Sequence, residues 1–172
     1  MKKLWPVVLV LFLSLAGWHC TEPIEIQNEV RIEFQATNPE LADFREGKNA
    51  RIQSAVAGIK GKVLTLTMSS MEGLNCENDM IDIQGDADFI LRITVRTGEP
   101  KFKKGEYSDV GVMFFTSLGP YFNTGAEGTV NIQKIGDEVA ALFKIRDDRI
   151  DLIGECLAPL CPPKSTGDGA VR

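Results

Sequence analysis

Apolar and polar residues alternate along most of this chain. That period of two is the mark of a half-buried β-strand, whose successive side chains point to opposite faces. Ile24, Ile26, Val30, Ile32 and Phe34 alternate with Glu25, Gln27, Arg31, Glu33 and Gln35. Leu64, Leu66 and Met68 alternate with Val63, Thr65, Thr67 and Ser69, and Phe89, Leu91, Ile93 and Val95 with Ile90, Arg92, Thr94 and Arg96. Ile52–Val56 and Tyr107–Phe115 are shorter candidates. Beyond the N-terminal segment, no stretch keeps the 3.6-residue period of an amphipathic helix. Roughly seven or eight short strands separated by turn residues imply an all-β fold, either a single antiparallel β-sandwich or a small calycin-like barrel. Alternation alone does not distinguish a filled sandwich from a ligand-holding barrel.

Turn residues divide the pattern. Asn38-Pro39 ends the first strand, Gly58 to Gly61 closes the second, and Gly98-Glu99-Pro100 follows the fourth. Met71 to Asp88 is an acidic insert, and Gly119-Pro120 opens a loop expected to reach Gly128. The last third reads as a three-stranded meander. Val130 to Ile135 leads into Gly136-Asp137, a pair that suits a type II′ hairpin turn. Val139, Ala141, Phe143 and Ile145 share one face, Asp147-Asp148 turns the chain, and Ile150, Leu152, Gly154, Cys156 and Ala158 share the next. One β domain over 20–161 with a flexible tail over 162–172 is the expected organisation.

The first residues are of another kind. Met1-Lys2-Lys3 is a short basic start, and an apolar run follows from Leu4 to Ala16. As a helix that run spans roughly 20 Å, against a bilayer core of ~30 Å, so it fits a cleaved export signal over 1–19 rather than a membrane span. Leu15-Ala16-Gly17-Trp18-His19-Cys20 is similar to a bacterial lipoprotein signal, in which Cys20 would carry the lipid. Gly17 and His19 depart from the usual aliphatic and small residues of that box. Cleavage after Ala16, giving a periplasmic or secreted protein, is the rival reading. The whole chain has 172 residues, 19 basic and 24 acidic, for a net charge of -5. Loss of 1–19 removes two lysines and leaves 17 basic against 24 acidic, or -7. A surface of that sign is repelled by anionic lipid, so membrane attachment would rest on acyl chains. It also argues against nucleic acid, which needs a basic stripe.

An exported chain meets an oxidising compartment, where cysteines pair. If Cys20 is lipidated, Cys76, Cys156 and Cys161 remain, and one is left over. Cys76 with Cys161 or with Cys156 is the expected bridge. Cys156 to Cys161 is disfavoured, because five extended residues span ~16 Å.

Most site chemistries lack their residues. The only histidine is His19, which falls in the signal, so a His-based nucleophilic centre or zinc site has no supply of ligands or base. No catalytic residue and no cofactor is expected. Asp79, Asp82, Asp86 and Asp88 in the acidic insert offer oxygen ligands of the kind calcium takes, without EF-hand spacing; a solvated acidic loop is the plainer reading. Tyr121 and Phe122 are a candidate partner patch.

The C-terminal segment carries a resemblance. Gly128-Thr129-Val130-x-Ile132, Ala141-x-Phe143, Ile153-Gly154-Glu155 and Ala158-Pro159-Leu160-Cys161 look like the ending of small β-sandwich lipoproteins of bacterial envelopes. The likeness spans about 35 residues and implies location and fold, with no activity to transfer. The expectation is an outer-membrane-anchored binding or interaction protein whose partner is an envelope protein or a small apolar ligand.

Overall fold

Apolar side chains at every second position bury one face of the longer strands, while the three-residue strands at the edges bury none. The computed structural model describes residues 25–34, 49–117, 119–146 and 150–163, except for the side chains of 34 and 121–124. The strands are β1 (Glu29–Phe34), β2 (Asn49–Arg51), β3 (Ser54–Lys60), β4 (Val63–Ser69), β5 (Phe89–Arg96), β6 (Gly105–Tyr107), β7 (Val110–Thr116), β8 (Gly119–Ile135), β9 (Glu138–Arg146) and β10 (Ile150–Cys161). No helix occurs among the described residues.

Seven strands, β3-β4-β5-β7-β8-β9-β10, pair in a closed ring, and β1, β2 and β6 extend its edges. The fold is therefore all-β and barrel-like; of the two expected architectures, a β-sandwich or a small barrel, it is not the sandwich. Closure depends on two strands that each serve two neighbours. The first half of β8 pairs with β7 and its second half with β9. β10 pairs with β1 and β9 over most of its length, and its last residues pair with β3. That last pairing, Leu160 with Ala57 and Cys161 with Gly58, is parallel, so the sheet is not wholly antiparallel as expected. The β8-β9-β10 meander is present, with a β-bulge between Ile132 and Lys134 of β8.

Two glycines mark where strands press together. Gly128 in β8 has φ +140°, a conformation closed to other residues, and a side chain there would strike the Lys144 carbonyl of β9. At Gly154 in β10 a Cβ would lie 2.6 Å from the Glu29 carbonyl and 2.7 Å from the Phe143 ring. The Phe143 ring thus occupies the room that the missing side chain leaves, an aromatic covering of a strand glycine.

Several local expectations change. Gly119 to Gly128 is strand, because β7 offers a ladder whose hydrogen bonds outweigh the weak strand preference of Gly and Pro. Strand β1 starts at Glu29, since Asn28 has φ 55° and interrupts the extended backbone. Strand β3 runs through Gly58 to Lys60, and only Gly61 and Lys62 turn. Tyr107–Phe115 is divided between β6 and β7. Gly136 lacks the positive φ of a type II′ turn; Ile135 pairs with Val139, and Gly136 and Asp137 connect β8 to β9. The Asn38-Pro39 and Asp147-Asp148 turns, Cys20 and most of the C-terminal tail lie outside the described residues.

The ring's interior is packed with side chains. Leu64, Leu66, Met68, Phe89, Leu91, Ile93, Phe114, Val130, Ile132 and Leu152 are all at most 1% exposed. Phe89 and Phe114 stack with ring centroids 5.4 Å apart. Around Met68–Ser69 and Phe89–Leu91 consecutive residues are buried, so both faces of β4 and β5 are covered there. The cover is the 70–88 insert, which buries Leu74 and is held to the sheet by several ties. Ser54 Oγ donates to the Met71 carbonyl and accepts from the Leu74 N–H. Arg92 donates through Nε to Thr67 and through Nη2 to the Asp79 carbonyl. Cys76 is bonded to Cys161 with Cα atoms 5.2 Å apart, which ties the insert to the end of β10. That is one of the expected pairings.

Candidate functional site on the outer face of the sheet

Strands β1, β10, β9 and β8 lie side by side, and their odd phase or even phase that points outward forms one face. Val30, Leu152, Phe143 and Val130 point inward and are buried. Their neighbours Arg31, Ile153, Lys144 and Thr129 therefore point out, as strand alternation requires. The next outward row is Glu29, Glu155, Leu142 and Asn131. These side chains, with Asn49 of β2, line an open groove of about 590 Å³.

The groove is mixed in chemistry. Ile153 is 52% exposed, which is unusual for a large aliphatic side chain, and Leu142 stands beside it half-buried. Arg31 and Lys144 flank Ile153 in register on the two neighbouring strands. Glu155 accepts the Gln27 N–H at 2.7 Å, and Arg31 reaches Glu33 at 3.7 Å across exposed surface. Such exposed pairs hold little free energy, so these charges are available to a partner at small cost. The arrangement offers an apolar centre with charged and polar groups around it.

A second hollow of about 480 Å³ lies in the insert, lined by Met71, Glu72, Asn78, Met80, Ile81, Asp82, Gln84 and Asp88. The four aspartates named as calcium candidates are spread over separate tasks. Asp79 pairs with Arg92 at 3.5 Å, Asp86 accepts from Ser117, and Asp88 accepts the Gly85 N–H and the Ser70 hydroxyl. Asp82 is exposed in the hollow. No group of three or more His, Cys, Asp or Glu fit for a metal occurs among the described residues.

Cys156 faces the interior and is fully buried, with its thiol pushed up to about 12, chiefly by desolvation. Tyr121 and Phe122 belong to β8 opposite Phe114 and Met113, but their side chains lie outside the described residues. The groove was not singled out by sequence reasoning, yet it leaves a signal. Leu142 and Ile153 are apolar residues standing on the polar phase of their strands.

The comparisons add no relative: no protein-family model matches the chain, and neither does a curated protein or a solved structure.

Proposed function

We propose that this chain is an exported protein, lipid-anchored at the cell envelope through Cys20, with a non-enzymatic binding role carried by the outer face of β1, β10, β9 and β8. The observation that carries the binding role is Ile153, a half-exposed aliphatic residue in a groove bordered by both signs of charge. Binding surfaces combine such an apolar centre with a polar rim. The Cys76–Cys161 bond supports the export half, since disulfides persist in oxidising compartments.

The alternative is a calycin-like carrier of a small apolar ligand inside the ring. Phe89, Leu91, Phe114 and Phe143, the residues that would line such a cavity, are at most 3% exposed, and two of their rings stack on each other. That packing favours a binding module that works from its surface.

Replacing Cys20 with Ser tests the anchor. The variant is expected in the soluble fraction without acyl label; a variant that stays membrane-bound, or a wild type that carries no label, sinks the lipoprotein reading. For the binding face, Ile153→Asp should abolish capture of the partner while leaving the melting temperature unchanged.

A further inference from the structure

The register of the central strands sets what fits the groove. One outward row is Glu29, Glu155, Leu142 and Asn131, and the row beside it is Arg31, Ile153, Lys144 and Thr129, each in the strand order β1, β10, β9, β8. Consider a twofold axis in the plane of the face, lying between the rows and perpendicular to the strands. It places each row opposite the other row of a second copy and keeps like strands opposite like strands. Glu29 then meets Arg31 of the second copy, and Asn131 meets Thr129. In the middle, Glu155 and Leu142 lie across from Ile153 and Lys144. The diagonal neighbours are therefore Ile153 with Leu142 and Glu155 with Lys144. Symmetry makes every one of these contacts twice.

We propose that this face is a self-association surface, and that its occupant is a second copy of this chain docked through that twofold. The proposal rests on the reading of the face as the binding surface and names its partner. Charge complementarity supports it: acid meets base directly at Glu29 and Arg31 and diagonally at Glu155 and Lys144, Ile153 meets Leu142 on the diagonal, and amide meets hydroxyl. Among the described residues, neither Glu29 nor Lys144 has an ion-pair partner within the chain. Four strands at ~4.8 Å spacing and two to three rows make a patch of roughly 400 Å², about half of the ~800 Å² per partner in a standard stable interface. The dimer is consequently weak in solution and favoured where an anchor concentrates the chain in one plane.

Sedimentation equilibrium of the detergent-solubilised full chain, in density-matched buffer from about 10 μM to about 1 mM, spans the affinities expected of so small an interface. The average mass should climb from one copy towards two with concentration. Glu29→Arg and Arg31→Glu should each weaken association by about tenfold, because each sets like charges against each other twice. An equimolar mixture of the two variants should recover wild-type association, since the mixed pair restores both contacts. Circular dichroism melts of the variants control for folding. A wild type that stays monomeric throughout, single variants that associate as it does, or a mixture that fails to recover would each overturn the proposal. Photo-crosslinking from position 153 in cells separates this from the parent reading. Adducts to a different protein alone would overturn self-association and keep the face as a binding site, whereas no adduct would overturn both.

Discussion

Asn28 shows how much one residue can settle. Strand β1 leaves the edge of β10 after Glu155, and β3 joins that edge only at Leu160. In the gap, the Leu157 N–H is met by the Asn28 side-chain oxygen at 2.7 Å, and the Asn28 carbonyl accepts the Ile52 N–H at 2.7 Å. The positive φ of Asn28 lets one residue serve both β10 and the link between β2 and β3, and Asn tolerates it better than most. Asn28→Ala should destabilise the fold by about 1–3 kcal/mol, because it orphans a backbone donor and strains the backbone. Asn28→Asp, which keeps the acceptor, should lose much less; equal urea midpoints for the two variants would contradict this account. Cys156 makes a different point. Its thiol is held protonated by burial, with the folded value near 12 against an ordinary 9.0. The native state therefore keeps a proton that the unfolded chain releases, and wild-type stability should fall relative to Cys156→Ala as pH rises from 9.0 towards 12. Urea melts of both proteins across that window would reveal the divergence, and parallel curves would exclude it.

At the level of elements, the strands with strict alternation are those that could be read in advance. Strands β4, β5, β9 and β10 each bury the phase that their sequence marks as apolar. The first half of β8 could not be read, because Gly119, Pro120 and Gly125 carry turn chemistry, and only the neighbouring β7 makes them a strand. The insert is the converse case. Its acidic composition reads as solvated loop, yet Leu74 is buried and Asp79 and Cys76 each tie it down. The disulfide closes a separation of 85 residues, for which the chain-entropy model gives about 4–5 kcal/mol. Cys161→Ser should lower stability by up to that amount. Hydrogen exchange should then accelerate first in 70–88 and at the β3–β10 pairing, where only two residue pairs close the ring. Uniform acceleration over the whole molecule would mean that the bond does not act locally.

For the whole molecule, the decisive property is a closed ring with a filled interior. Closure removes two long sheet edges that would otherwise invite pairing with other chains, and the remaining edge strands β2 and β6 are three residues each. In the proposed reading, recognition then falls to the outer surface. An environment-sensitive apolar dye titrated against the native protein should therefore show no saturable site of lipocalin type, with at most weak binding that Ile153→Asp removes. Stoichiometric tight binding unaffected by that substitution would instead favour an interior carrier.

The alternation of side chains by itself determined the all-β class, the inward phase of most strands and the C-terminal meander, because these depend on local periodicity; which of Cys156 and Cys161 bonds Cys76 was decided only by the tertiary structure. Tertiary structure decided ring against sandwich, since closure turns on whether the end of β10 finds β3, and that contact joins residues about a hundred positions apart. It also assembled the groove proposed as the binding face. Leu142 and Ile153 are separated by a hairpin in sequence and gain meaning only when β9 and β10 set them beside Arg31 from the far end of the chain.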